Sequence, residues 1–247
     1  MGVSNNQYKI VDQIKASESP EEFKDCFRTI SEHTNFDFFL FALALPNTVN
    51  EVDVIVYDNY PAKWRTAYDA QGFSKKDPIV RYCVAECLPV KWSDVTQEKG
   101  FTEEDESFMA MANEFGLGPG FSVPLHAPNG GVGVVSLALE PGAIMSEFQF
   151  REALGLIQSL QSNILDTARN IQKERVSGFA DLTKREIEAL VWTAEGKSSW
   201  EIAQILGIKE RTVNFHIAQA STKLGANNRT RAVSTALLTG ILHPLIA

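Results

Sequence analysis

The stretch from Leu182 to Leu224 constrains the fold more than any other part of the chain. It holds three segments with helical periodicity, separated by turn signals. Thr183, with a glutamate three residues on, predicts a capped start for the first helix. Gly196 and Gly207 mark the ends of the first two helices, and the third is predicted over residues 210–224. A helix, a short glycine-containing turn and a second helix form the helix-turn-helix pattern.

The face left over on the third helix is polar and partly cationic, as is the start of the segment that follows it. Its candidate DNA contacts are Lys209, Arg211, Thr212, Asn214, His216, Gln219, Lys223 and Arg229. Base edges require donors and acceptors, and phosphates require cations beside them. Two alternatives are a three-helix bundle with a solvated polar face and a helix-turn-helix used only for protein contacts. From Lys209 onward there are five Lys and Arg against one Asp or Glu, which argues against a protein-only role.

Residues 182–224 also resemble the C-terminal DNA-binding domain of LuxR-type regulators. The matching residues are Glu186, Leu190, Gly196, Lys197, Glu201, Ile202, Ala203, Thr212, Val213, His216, Lys223 and Leu224. The resemblance implies a DNA-binding domain over residues 179–247. Ala218 departs from a base-contacting position of some relatives, so no operator sequence is implied.

Length and composition limit the number of domains and the class of protein. A chain of 247 residues is long enough for two domains, and 44% hydrophobic with 22% charged residues is ordinary for a globular protein. The net charge of −8 is uneven, because residues 179–247 carry eight basic and six acidic side chains. No apolar run approaches the roughly 20 residues of a membrane span, and the start lacks a signal-peptide core, so we expect a cytoplasmic protein without membrane association. The three cysteines have no CxxC spacing and the histidines are not grouped near them, so we expect reduced thiols and no metal site.

The first 171 residues mix helical and strand patterns and end in a strand hairpin and a long amphipathic helix. Strands are predicted at 37–45, 52–57, 121–126 and 132–140, and helices at 6–33 with a break at 17–20, 61–71, 77–86, 101–115 and 147–171. This order predicts an α+β fold, with an N-terminal α/β/α sandwich around an antiparallel sheet and a C-terminal all-α helix-turn-helix domain. The predicted domains are 1–171 for ligand binding and dimerisation, 172–178 as a linker and 179–247 for DNA binding.

Aromatic and polar residues are dense between Tyr57 and Trp92. Tyr60 and Trp64 are four residues apart across a helix start and therefore face the same way. Asp77 precedes a proline, which holds it extended. Core packing of the aromatic side chains and helix capping by Asp77 are the alternative explanations.

These segments, NYPAKWRTAYDAQGFSKKDPIV and LPVKW, resemble the acyl-homoserine-lactone-binding domain of LuxR-type quorum sensors. The resemblance covers about residues 6–165 and is greatest to the LasR branch. It implies that the Trp64 indole donates to the lactone carbonyl and that Asp77 accepts from the ligand amide. Tyr60 and Ser136 would donate to the amide carbonyl, and Trp92 would pack on the lactone ring.

A secondary amide that is buried without hydrogen-bond partners costs several kcal/mol, so a binding site for it needs both donors and an acceptor. The acyl tail needs only an apolar wall, for which the candidates are Leu40, Ala42, Val54, Val80, Leu117, Phe121 and Val134.

Together the two halves predict a transcription regulator that binds an N-acyl homoserine lactone and controls quorum-sensing genes. We expect a homodimer, paired through the 147–171 helix and the last helix, on a dyad operator, with RNA polymerase as a further partner. The alternative is an orphan regulator that senses a foreign or different small molecule. An enzyme is disfavoured because Ser136 has no His and Asp in a recognisable arrangement and because His33 and His126 lack metal-ligand spacing. No cofactor is expected.

Overall fold

The computed structural model of the chain describes residues 3–48, 51–97, 100–127, 130–175 and 182–242. Those residues form two compact units, of which the first ends at Gln172 and the bulk of the second follows from Lys173. None of the helices in the described part of the chain is long and apolar enough to cross a membrane.

The first unit is built around a five-stranded sheet. Its strands are β1 (Phe38–Thr48), β2 (Glu51–Asp58), β3 (Val90–Lys91), β4 (Gly120–His126) and β5 (Val132–Ala138). The spatial order is β2-β1-β5-β4-β3, and β5 pairs antiparallel with both β1 and β4. Strand β1 therefore lies inside the sheet, as its apolar sequence predicts.

Six helices belong to this part of the chain. They are α1 (Val3–Ala16), α2 (Pro20–His33), α3 (Ala62–Ala70), α4 (Pro78–Ala85), α5 (Glu103–Glu114) and α6 (Glu147–Arg175). Ser19 and Glu22 form a capping box at the start of α2, and Thr102 and Asp105 form another at the start of α5.

One face of the sheet is closed by a tightly packed aromatic core. Phe27 of α2 stacks on Phe41 of β1 with ring centroids 4.9 Å apart. Phe121 of β4 meets Phe150 of α6 edge-on at 5.1 Å. Helix α1 joins the same layer, because its Ile14 carbonyl accepts a hydrogen bond from a threonine of α6.

The opposite face is covered by α3, α4 and α5. Trp64, Ile79 and Phe108 are buried there against Val134 and Ala138 of β5. Because side chains alternate along a strand, even-numbered residues of β5 point to this face and odd-numbered residues point to the aromatic core. The predicted α/β/α sandwich with an antiparallel sheet is confirmed.

Two elements run at least three residues past their predicted C-terminal ends. Strand β1 does not stop before Pro46 but continues to Thr48. Its ladder with β5 ends at Ala44, so the proline lies beyond that ladder and removes no hydrogen bond from it. Helix α6 continues to Arg175 and so includes residues 172–175 of the predicted linker, whose remaining residues 176–178 lie outside the described residues. Residues 128–129 of the predicted hairpin turn also lie outside them.

The long apolar stripe of α6, which motivated the expectation of a dimer contact, is used within the protomer. Ile157, Leu160 and Ile164 are fully buried against the unit's own core. Between residues 147 and 172, where burial is described, the exposed large hydrophobic side chain is Phe148 in the first turn, and the other exposed side chains are polar. The stripe therefore gives no support to pairing through this helix.

The second unit contains α7 (Lys184–Ala194), α8 (Ser199–Leu206), α9 (Glu210–Lys223) and α10 (Arg229–Leu238). The capping box of Thr183 and Glu186 forms as predicted. Helix α8 ends at Gly207, whose φ of 65° is the left-handed conformation that lets the chain turn sharply into α9. Ile202 of α8 and Val213 of α9 are both fully buried in the contact between these helices.

Candidate functional site

A cavity of about 440 Å³ lies between the sheet and helices α3, α4 and α5. The volume is within the range of small-molecule sites, and most of the lining is apolar. All five residues proposed to contact the ligand line it: Tyr60, Trp64, Asp77, Trp92 and Ser136. The structure thus brings together side chains from two helix starts, the β3 segment and β5.

Asp77 has two sets of partners, one on each carboxylate oxygen. Its Oδ1 accepts from the backbone N–H groups of Ile79 and Val80 at 2.8 and 3.3 Å, which makes it the N-cap of α4. Its Oδ2 accepts from the Tyr68 hydroxyl at 2.9 Å. The capping role and a ligand role are therefore compatible, because the cap occupies only one oxygen. Burial raises the pKa of Asp77 above its ordinary value, and the hydrogen bonds from Tyr68, Ile79 and Val80 oppose that rise in part.

Trp64 supplies a donor without a partner. The residue is 3% exposed, and its indole N–H makes no hydrogen bond within the described residues. Its ring is held edge-on by Tyr68 and Phe108 at centroid distances of 5.6 and 5.5 Å. A buried donor left unpaired costs about 1–3 kcal/mol, so an acceptor inside the cavity would relieve that cost.

Hydrogen bonds connect Trp92 to Ser136 through a buried serine. The Trp92 indole donates to Ser122 Oγ at 2.9 Å, and Ser122 Oγ lies 2.7 Å from Ser136 Oγ. Ser136 and Tyr60 both line the cavity. Burial, with a smaller effect of the charge on Asp77, raises the pKa of Tyr60 far above its usual value, so its hydroxyl remains a proton donor.

Gly120 allows Trp92 to approach the sheet closely. A Cβ at this position would lie 2.9 Å from the Trp92 ring and 2.7 Å from the Leu137 carbonyl oxygen. The glycine is required for space rather than for an unusual φ.

Six of the seven predicted wall residues line the cavity, among further apolar side chains. Leu40, Ala42, Val54, Val80, Leu117 and Val134 line the cavity. Phe121 does not, because it is odd-numbered in β4 and points to the aromatic core, where it contacts Phe36 and Phe150. The strand alternation could have excluded it from sequence. Arg65 also lines the cavity and is paired with Asp58 at 3.3 Å and Asp69 at 3.1 Å.

Two nucleophilic side chains, Cys83 and Ser136, line the cavity. Burial raises the pKa of the Cys83 thiol to about 12, so this thiol stays protonated. Ser136 is hydrogen-bonded to Ser122 and has no histidine partner among the described residues. The same part of the chain holds no group of three or more His, Cys, Asp or Glu side chains suited to a metal.

The exposed side of α9 is the candidate DNA-binding surface. The eight predicted DNA contacts fall into two groups: Lys209, Arg211, Asn214, Gln219 and Arg229 are exposed, whereas Thr212, His216 and Lys223 are partly buried. Asn214 Oδ1 accepts from the Ser199 hydroxyl at 2.7 Å, which leaves its amide donors directed outward.

Two of the predicted cationic contacts are engaged within the domain. Lys223 Nζ lies 2.8 Å from Glu186 Oε2, and the Glu186 side chain is only 6% exposed. Burial alone would raise the pKa of Glu186, but hydrogen bonds from Lys223 and Thr183 outweigh it and keep the pKa below its usual range. Arg229 donates to the Lys197 carbonyl at 3.1 Å and so ties α10 to the turn before α8.

Sequence reasoning missed one large residue on this surface. Phe215 of α9 is 58% exposed, beside the polar candidates. Its position off the inward spacing of Val213, Ile217 and Ala220 is the signal that could have found it.

A small-molecule cavity in one unit and a helix-turn-helix with a cationic exposed face in the other define a ligand-responsive DNA-binding regulator. Comparisons with known proteins agree: residues 19–168 match the autoinducer binding domain, and residues 180–236 match the bacterial regulatory proteins of the luxR family. The chain belongs to the LuxR family of quorum-sensing transcription regulators, and its autoinducer-binding domain indicates an acyl-homoserine-lactone-type ligand.

Full-length relatives support the same assignment. The chain is 35% identical over 239 residues to the transcriptional activator LuxR of Aliivibrio fischeri, which covers 97% of this chain and 95% of that protein. It is 34% identical over 244 residues to the transcriptional activator VanR of Vibrio anguillarum, at 97% and 100% coverage. The crystal structure of Escherichia coli SdiA matches with a TM-score of 0.82 and 27% identity over 97% of this chain and 99% of that one. A structure of SdiA in complex with octanoyl-rac-glycerol matches with a TM-score of 0.81 and 26% identity, over 99% and 98% of the two chains. These relatives support the family as a whole and do not single out the LasR branch.

Proposed function

We propose that the cavity binds an N-acyl homoserine lactone with its amide spanning the gap between Asp77 and Tyr60. Asp77 Oδ2 accepts from the amide N–H, and Tyr60 with Ser136 donates to the amide carbonyl. The Trp64 indole donates to the lactone carbonyl, and Trp92 packs on the lactone ring. The observation that carries this proposal is the unpaired, buried Trp64 donor in the same cavity as the Asp77 acceptor.

The remaining cavity wall suits an acyl chain. Leu40, Val54, Val80 and Val134 are apolar, and each buried CH₂ contributes about 0.8 kcal/mol to binding. A ligand that binds only the folded protein stabilises it in proportion to the logarithm of its concentration. Binding therefore couples lactone concentration to the amount of folded regulator.

In the second unit, we propose that Arg211, Asn214 and Gln219 read base edges and that Lys209 contacts phosphate. The working species is a homodimer on a dyad operator, in the cytoplasm, with RNA polymerase as a further partner. Support for the dimer comes from α10, where Leu237 is 47% exposed while Ala232, Thr235 and Ala236 are buried. The functional division remains residues 1–171 for sensing, 172–178 as a connection and 179–247 for DNA.

The test uses the full chain purified after expression with a panel of acyl lactones. Mass spectrometry of the copurified small molecules should find one lactone, and that lactone should raise the melting temperature. Light scattering with and without operator DNA should show two protomers per site. A saturated protein that remains monomeric on DNA would contradict the dimer, and a panel without any stabilising lactone would contradict the ligand.

A second candidate is a regulator of a different small molecule. The similarity to SdiA in complex with octanoyl-rac-glycerol favours it, because that ligand is an ester without an amide N–H. Measuring octanoylglycerol and octanoyl homoserine lactone side by side separates the two candidates. A site that uses Asp77 as an acceptor prefers the amide, and a site that binds only the acyl chain does not discriminate.

A further inference from the structure

A buried serine behind the cavity wall is hydrogen-bonded to two residues of the site. Ser122 of β4 is fully buried and does not line the cavity. It lies between Trp92, whose indole nitrogen is 2.9 Å from its Oγ, and Ser136, whose Oγ is 2.7 Å away. Ser136 lines the cavity together with Tyr60.

The direction of this row of hydrogen bonds follows from the chemistry of its first member. An indole N–H is a donor only, so Ser122 must accept from Trp92. Within the described residues, Ser136 is the one other partner of Ser122. If Ser136 donated to Ser122, the Ser122 proton would be buried without an acceptor, which carries the full desolvation penalty of a hydroxyl. The favoured arrangement therefore has Ser122 donating to Ser136.

The direction of the Ser122–Ser136 hydrogen bond determines which hydroxyl protons face the cavity. Ser136 accepts from Ser122, so its own proton is available for Tyr60 or for a guest beside it. When Ser136 donates to Tyr60, the Tyr60 proton must leave the row and enter the cavity. Either way the row ends in hydroxyl donors, and chains of hydrogen bonds polarise one another so that the terminal donor is strengthened.

We propose that Ser122 is a positioning residue that fixes this polarity and thereby makes the Tyr60–Ser136 side of the cavity select a hydrogen-bond acceptor on the ligand. The proposal rests on the proposed function and deepens it. With Asp77 as an acceptor on the other side, the cavity distinguishes the two ends of an amide, with the carbonyl at Tyr60 and the N–H at Asp77.

The test compares an acyl homoserine lactone with its thioamide analogue, in which sulfur, a weaker acceptor, replaces the amide oxygen and the N–H is kept. Wild type should prefer the amide. Ser122→Ala removes the hydroxyl that orients Ser136, so amide affinity should fall roughly 2- to 10-fold, the equivalent of one neutral hydrogen bond, while thioamide affinity changes less. The ratio of the two affinities is the readout, because a purely structural defect would weaken both ligands alike.

Two further variants control the experiment. Val123→Ala alters the next residue of β4, which is buried on the opposite face, and should lower stability without changing the ratio. Ser122→Thr retains the hydroxyl and should restore the ratio. If Ser122→Ala fails to fold, Trp92→Phe decides, because it removes the donor that sets the direction and should also reduce the ratio.

An unchanged ratio in Ser122→Ala or, in its place, Trp92→Phe overturns the proposal for Ser122 while wild-type lactone binding stands. A wild type that binds neither the amide nor the thioamide overturns the proposed function instead. The two failures are therefore distinguishable.

Discussion

Replacing Asp77 by asparagine should lower ligand affinity without lowering protein stability. The asparagine oxygen can replace Oδ1 as the cap of α4, since Asn and Asp cap helices equally well. Its amide group then occupies the place of Oδ2, where the Tyr68 hydroxyl can accept instead of donate. Every protein contact has a substitute, but the acceptor for the ligand N–H becomes a donor.

The size of each effect follows from these contacts. A hydrogen bond to a charged group contributes about 1.5–3 kcal/mol, so lactone affinity should fall roughly 10- to 150-fold. The free protein should be no less stable at neutral pH. A carboxyl whose pKa is raised on folding destabilises the folded state wherever it is ionised, and the substitution removes that charge.

Isothermal titration and thermal unfolding measure the two quantities separately. Asp77→Ala is the matched comparison, because it also loses the cap and should cost about 0.5–2 kcal/mol of stability. Methyl octanoate, an ester with neither an N–H nor an O–H donor, is the ligand control and should bind wild type and Asp77→Asn alike. Equal losses for the amide and the ester, or no loss for the amide, would refute the reasoning.

Because the pKa of Asp77 is raised, lactone affinity should depend on pH. The affinity should fall as the pH decreases through that pKa, and the fall should begin at a higher pH than for an ordinary aspartate. A lactone affinity that does not change with pH would contradict ionised Asp77 as the acceptor. Lys223→Met should cost roughly 2–4 kcal/mol in chemical denaturation because it leaves the buried Glu186 carboxylate without its cation, with the N–H of Thr183 as a remaining partner. Arg211→Ala should weaken operator binding at unchanged stability, and the reverse pattern would return Lys223 to the DNA surface. Gly120→Ala should reduce both protein stability and lactone affinity by displacing Trp92. Gly155→Ala, which lies in open space on a helix, should raise protein stability by up to about 1 kcal/mol. Calorimetry that finds equal stabilities for the two variants would argue against a close approach of Trp92 to Gly120.

Much of the architecture can be predicted from local sequence patterns such as helix caps and apolar strands. Capping boxes at Ser19, Thr102 and Thr183 place helix starts where the structure has them. The apolar run of β1 predicts an interior strand because an edge strand of that composition would promote aggregation. The family resemblance, rather than spacing, supplied the five cavity residues, whose aromatic spacing alone fits a packed core equally well.

What could not be predicted depends on distant contacts. The two-residue strand β3 is too short to carry a periodic signal, yet it places Trp92 beside Gly120. The partnership of Lys223 with Glu186 joins residues that are 37 positions apart, and nothing in the α9 pattern separates this lysine from the exposed cations. Ser122 was missed because its role lies in two side-chain partners and not in any motif.

The alternation of β5 has a consequence for how such a receptor changes over evolutionary time. Val134 and Ser136 line the cavity, whereas their neighbours Val135 and Leu137 are fully buried in the aromatic layer. Mutations at alternate residues of this short strand therefore affect different properties: ligand specificity for one set and protein stability for the other. A lineage can acquire a new signal by drift at the first set while purifying selection maintains the second.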